Sequence, residues 1–250
     1  MLNLKSLVSE KSKSKLGVFV VEGEKFAGEI PSDYYVLQYV ASDKYEKPTE
    51  RFAERAPVVR VSDARFQRIA GAATPQGILA VVERRRFSLG ECMVQDGFAL
   101  VCEGLGDPGN VGSLIRTAAA ASASGVVMTK DSVSLWNPKT QRASAGAQLR
   151  LPIAVDCSID DVLCLAKSKG CPVYAAHHRL GALPYDLDLS GRFCLVLGSE
   201  SHGLSDFTAK NADALVRLPM SGLTESLSVA AAGSVLMYEA VRQRGANGLA

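Results

Sequence analysis

The sequence predicts an α/β protein: a C-terminal parallel-sheet domain preceded by a small N-terminal α/β domain. Three observations carry this. From residue 98 onward, short apolar runs alternate with helical stretches. Those runs are apolar throughout, as expected of parallel strands covered by helices on both faces. Upstream, a charged, glycine-bearing stretch, ERRRFSLGECMVQDG (83–97), separates them from an earlier group of short strands.

The elements follow in order. In the first domain, 1–85, strands are expected at GVFVVEG (17–23), YYVLQYVA (34–41), PVVRVS (57–62) and GILAVVE (77–83). Helices are expected around 49–55 and 63–70. Residues 86–97 read as the linker, and 98–250 as the second domain. Its strands are FALVCE (98–103), GVVMTK (125–130), PVYAAH (172–177), FCLVLG (193–198) and ALVRLP (214–219). Helices fall near 110–123, 138–148, 159–169, 203–210 and 225–243. Within the first of these, Leu114, Ile115 and Ala118 form the apolar stripe and Arg116 lies off it, among small neighbours. Pro108 stiffens the preceding turn, and Asn110 is the expected N-cap.

Composition narrows the class. Of 250 residues, 47% are hydrophobic and 22% charged, ordinary values for a globular protein. No apolar run approaches a membrane span, and no signal peptide is evident, so a cytoplasmic protein without a membrane is expected. Six cysteines lack C-x-x-C spacing and do not alternate with the three histidines at ligand spacing. They read as buried, reduced and inert, and no metal is expected. Residues 1–90 carry 15 Lys and Arg against 11 Asp and Glu; residues 91–250 carry 13 against 15. A basic first domain can attract a polyanion such as RNA, although a solvated basic surface fits as well.

Three loops hold the chemistry-bearing residues. The first, EGLGDPGNVGSLIRTA (103–118), contains a G-x-G-x-x-G at Gly104, Gly106 and Gly109, with Asp131 beyond the next strand. That spacing is close to a dinucleotide-binding fingerprint, which keeps an NAD-dependent oxidoreductase in view. Pro108 argues against it, because it removes an N–H that a pyrophosphate would use. The second loop, LGSESHGL (197–204), puts Glu200 between two glycines at the carboxyl end of a strand. The third, LPMSGLTESLSVAAA (218–232), leads from a strand into a helix rich in small residues.

Taken in order and at these spacings, the three loops resemble the motifs of the SpoU (TrmH-like) group of SPOUT RNA methyltransferases. NPKTQRASAGAQLRLP (137–152) also matches that family, and GVFVVEGEK (17–25) and TPQGILAVV (74–82) look like its N-terminal RNA-binding domain. The resemblance implies a C-terminal domain with a trefoil knot, S-adenosylmethionine as methyl donor, and a ribose 2′-hydroxyl of RNA as acceptor. Ribosomal RNA is favoured over transfer RNA. It also implies a homodimer through the C-terminal domain. By the same analogy, Asn110, Arg116, Glu200, Ser226 and Ser228 are the catalytic residues. Leu197, Gly198, Glu200, Gly203, Leu218, Met220, Ser226 and Leu227 would hold the donor. The chain departs from the family at Ser228, where an Asn is usual. A non-catalytic RNA-binding member is therefore an alternative.

Overall fold

Two sheets form, each from its own part of the chain. The computed structural model describes residues 4–72, 74–93 and 97–246. Contacts group residues 1–85 and 136–141 into one unit and 86–135 and 142–250 into a second.

The first unit holds α1 (Glu10–Lys15), β1 (Val18–Glu22), α2 (Glu24–Gly28), β2 (Val36–Ser42), α3 (Glu50–Ala53), β3 (Val58–Val61), α4 (Asp63–Ile69) and β4 (Ile78–Glu83). Its sheet order is β1-β4-β2-β3, with β4 antiparallel to both neighbours and β3 parallel to β2. One face buries Val18, Val20, Val40, Leu79 and Val81 against Phe66 and Ile69 of α4. Each such fully buried side chain contributes about 1.5–3 kcal/mol. Trp136 also belongs to this unit and packs its ring 4.6 Å from that of Phe19.

The second unit begins with α5 (Leu89–Cys92), which lies inside the segment expected to be a linker. Ser88 and Glu91 close this helix with a reciprocal capping box, and Cys92 and Met93 are buried in the core. Sequence reading missed it because four residues are too few to show a helical period. Residues 94–96 of that segment lie outside the described residues. Then follow β5 (Phe98–Cys102), α6 (Pro108–Ala120), β6 (Gly125–Thr129), α7 (Pro138–Ser144), whose first four residues group with the first unit, β7 (Ile153–Cys157), α8 (Ile159–Ser168), β8 (Val173–Ala176), β9 (Phe193–Leu197), α9 (Asp206–Asn211), β10 (Ala214–Val216) and α10 (Val229–Ala246).

These six strands make an all-parallel sheet in the order β10-β8-β9-β5-β6-β7. β7 was not expected: its residues IAVDC are only half buried toward their end, so the apolar run is short. β5 is this sheet's first strand; the chain runs outward on one side through β6 and β7, crosses to β8, returns to β9 beside β5, and ends at the far edge in β10. The sheet therefore reverses its winding between β5 and β9, the position where open α/β sheets bind ligands at the carboxyl ends. Leu100, Val101, Val127, Val196 and Cys194 are fully buried there. Phe98 and Phe193 stack 5.3 Å apart across the two central strands.

α10 packs on α6, with Thr117 Oγ1 3.2 Å from Ser234 Oγ. The approach needs Gly233: a Cβ there would stand 2.6 Å from side-chain carbons of both Leu114 and Leu197. Among the described residues no helix is long and apolar enough to cross a membrane. The cysteine expectation needs one correction. Cys92, Cys102, Cys171 and Cys194 are buried, but Cys157 is half-buried and Cys164 exposed. Cys164 sits on α8 facing away from the sheet, where a helical pattern alone does not distinguish it from Leu163.

Candidate active site

The first loop enters α6 differently from the sequence expectation. Asp107, not Asn110, is the N-cap: its Oδ1 accepts the Asn110 N–H at 2.8 Å, and Pro108 is the first helical residue. An Asp cap contributes about 1 kcal/mol, and Pro is pre-shaped for that first position. Releasing Asn110 from capping frees its amide. The Asn110 Nδ2–H donates to Glu200 Oε1 at 2.8 Å, across 90 positions of sequence. Arg116, farther along α6, is exposed, and its side chain makes no hydrogen bond or ion pair among the described residues.

The second loop follows β9. Ser199 and Gly203 exchange both backbone hydrogen bonds, at 2.9 and 2.8 Å, closing a small ring that carries Glu200. Gly198 is required at its neck. A Cβ there would lie 2.3 Å from the Gly203 carbonyl carbon, and backbone cannot yield. Beyond the ring, Ser205 caps α9. Glu103, the first residue of the first loop, accepts hydrogen bonds from Ser205 Oγ and Thr208 Oγ1, each at 2.7 Å. The first and second loops are thus tied twice, through Asn110–Glu200 and through Glu103–Ser205/Thr208. Beneath them, burial pushes the Cys102 thiol up to about 12, and the charge of Glu200 adds to the effect. Leu197, at the strand end, is buried.

The third loop runs from the end of β10 to α10. The expected helix does not begin at 225; Thr224, Glu225 and Ser226 are irregular, and α10 starts at Val229. Ser228 is its cap, with Oγ accepting the Ala231 N–H at 3.2 Å. This gives the departure at 228 a structural meaning, since Ser and Asn are both strong N-caps. The backbone groups of residues 218–227 take part in no backbone–backbone hydrogen bond among the described residues. Leu223 is 91% exposed and Leu227 44%. Leu218 and Met220 are half-buried, and Ser226 is exposed. An apolar fringe beside unpaired peptide groups suits a ligand with an aromatic face and a zwitterionic tail, which is what S-adenosylmethionine presents.

Of the expected catalytic set, the structure joins Asn110 to Glu200 directly. No hydrogen bond links Arg116 to either, or to Ser226 or Ser228. Gly198 and Gly203 are in backbone contact, while Leu218, Met220 and Leu227 lie on the separate third loop. Glu103 appeared in the sequence only as the start of a motif. Its anchoring of the second loop had no local signal, because Ser205 and Thr208 lie over a hundred residues away.

Residues 97–238 match the family model described as the SpoU rRNA Methylase family. The chain belongs to that family. Residues 2–80 match an MRM3-like substrate binding domain. Among curated relatives, 23S rRNA (guanosine-2′-O-)-methyltransferase RlmB of Xanthomonas axonopodis pv. citri is 34% identical over 194 residues, 75% of this chain and 78% of that protein. The 23S rRNA (guanosine(2553)-2′-O)-methyltransferase RlmP of Bacillus subtilis is 28% identical over 94% of this chain and 92% of its own. Among solved structures, an AdoMet-bound rRNA methyltransferase from Sinorhizobium meliloti superposes with a TM-score of 0.85 at 26% identity, covering 96% of this chain and 92% of that one. The three loops described above all lie within the SpoU match.

Proposed function

We propose that this SpoU-family protein transfers methyl from S-adenosylmethionine to the ribose 2′-hydroxyl of a guanosine in 23S-type ribosomal RNA. The observation that carries the reading is the Asn110–Glu200 hydrogen bond, which assembles two motifs from distant parts of the chain into one polar site. The names of the curated relatives support the substrate, and the AdoMet-bound neighbour supports the donor.

The donor's sulfonium supplies an activated methyl group, so the chain's task is orientation and handling of one proton. The Gly198–Gly203 ring and the peptide groups of Leu218, Met220 and Leu227 hold the donor, with Leu197 behind them and Ser226 at the edge. Glu200, fixed by Asn110, orients the ribose. A guanidinium retains its proton at neutral pH, which makes Arg116 a poor base. It acts instead by steadying the developing alkoxide while the proton passes to water or an RNA phosphate. Ser228 fixes the start of α10 and so the far wall of the donor loop.

The first unit, with its basic excess, recognises the RNA. Membership of the SpoU family supports a trefoil knot in this domain, formed by the C-terminal segment that packs over Leu197 at Gly233. Val235 and Tyr238, half exposed on α10, support a homodimer through this domain. A ribosomal RNA substrate carries with it a cytoplasmic location.

The test is methyl incorporation into ribosomal RNA by Arg116 variants. Arg116→Ala should lose about 10²–10³-fold in kcat, the usual cost of one charge-stabilising donor. Arg116→Lys should retain part of the activity. Equal loss in both variants, with the donor still bound, would assign Arg116 a geometric role and refute the electrostatic one.

A further inference from the structure

A second feature of the methyltransferase unit lies outside the donor loops. At the winding reversal between β5 and β9 the sheet opens into a recess of about 450 Å³, reached from the carboxyl ends of β5, β6, β7 and β9. That volume is in the range of small-molecule sites. Its floor and walls include Cys157, Ile159 and Leu204, all partly apolar surfaces suited to a flat ring. Residues 218–227 do not line it. It is therefore not simply the cleft assigned above to the donor, although it shares the 199–205 segment.

Its rim carries unused polar chemistry. Lys130 and Asp131 follow β6 directly, are exposed, and line the recess. Neither side chain makes a hydrogen bond or ion pair among the described residues. Ser158, at the entrance to α8, makes no capping bond with its hydroxyl. A cation beside a carboxylate matches one nucleobase better than the others. Guanine presents two acceptors, O6 and N7, on one edge. Its N1–H and N2–H₂ are adjacent donors that a carboxylate accepts together. Adenine and cytosine offer a carboxylate a single amino group, and the N3–H of uracil is flanked by two carbonyl oxygens that repel it.

We infer that this recess receives the guanine base of the nucleoside being methylated, with Asp131 accepting from N1–H and N2–H₂ and Lys130 donating to O6. The inference rests on the proposed function. The ring at 199–203 connects the two: Ser199 and His202 face the recess, while Glu200 on the same ring bonds Asn110. Base and ribose are joined by one bond, so two faces of one loop can hold the two halves of a nucleoside. Lys130 and Asp131 then set base specificity without touching the reacting oxygen.

The experiment titrates the full chain with GMP, AMP, CMP and UMP by protein-observed NMR, with and without saturating S-adenosylhomocysteine. Donor-product binding is measured separately by calorimetry. GMP should bind about tenfold tighter than the other three, the discrimination expected of one bidentate base contact. Asp131→Ala should bring GMP to the level of AMP. Ser158→Trp, which fills the recess, should weaken GMP about tenfold or more, and both variants should keep S-adenosylhomocysteine affinity within about twofold of wild type. Equal binding of all four nucleotides, no GMP binding, or an unaltered GMP preference in Asp131→Ala would overturn the inference. So would loss of S-adenosylhomocysteine binding in Ser158→Trp, which would give the recess to the donor. If Ser158→Trp does not fold, Asp131→Ala, at an exposed side chain, decides alone. Wild-type protein that binds GMP selectively but no S-adenosylhomocysteine would sink the proposed function and leave the base site standing.

Discussion

Glu103→Ala should loosen the second loop without touching the reacting groups. In the native fold this carboxylate accepts from Ser205 Oγ and Thr208 Oγ1, both at 2.7 Å. Thr208 is fully buried. Hydrogen bonds to a charged group contribute about 1.5–3 kcal/mol each. Glu103 is partly exposed, which lowers the figure, and Thr208 keeps a 3.0 Å bond with Ser205. The two bonds together are then worth about 3 kcal/mol. At roughly 2–4 °C per kcal/mol for a domain of this size, the transition of the second unit should fall by about 10 °C. Glu103→Gln, which keeps an acceptor oxygen but no charge, should lose about half as much. Scanning calorimetry reads the shift, and titration with S-adenosylhomocysteine reads the loop, whose donor affinity should drop in both variants. A midpoint within about 1 °C of wild type for Glu103→Ala would refute the anchoring role.

Gly198→Ala should abolish donor binding more completely than Glu103→Ala, because the new methyl meets the Gly203 backbone and no side chain can move away; calorimetric binding at wild-type affinity would contradict this. Thiol labelling at about pH 8 should modify Cys164 first and Cys157 more slowly. Cys92 and Cys102 should stay unlabelled until denaturant is added, since burial pushes both up to about 12, their protonated forms persist at that pH, and only the thiolate reacts. Rapid native labelling of Cys102, read by peptide mass spectrometry, would refute its burial. Tyr238→Asp should convert a species of twice 26.5 kDa to one of 26.5 kDa in analytical ultracentrifugation; a wild-type chain that already sediments at 26.5 kDa refutes dimerisation through α10.

Much of the fold could be read from apolar runs. β5, β9 and β6 are buried on both faces, so their sequences are continuous and stand out. β7 did not, because Val155 and Cys157 are only partly covered and Asp156 is exposed. Helix starts were read less well than helix bodies. Asp107 and Asn110 are both good caps, and the choice between them is made only in the fold, where Pro108 is already helical and Asn110 spends its side chain on Glu200. At the other end, TESLSVAAA looks helical by composition, yet Ser228 marks the boundary and residues 224–227 stay open. The motif residues were legible as spaced types, and the pairs they make were not: Asn110–Glu200 and Glu103–Thr208 each span 90 residues or more. In the sequence Asp131 reads only as the acidic residue of a dinucleotide spacing, and nothing there points to the recess. Its neighbours from β7 and β9 gather only through sheet order, which no local pattern encodes.

The paired backbone bonds between Ser199 and Gly203 have a mechanical consequence. A five-residue circlet latched at its base cannot flex one flank independently of the other. Pressure exerted where His202 sits is relayed to Glu200, and from there to Asn110. With base and ribose placed as proposed above, a misfitting letter of RNA would disturb the alignment of its own sugar through stiffness alone, with no hinged flap needed.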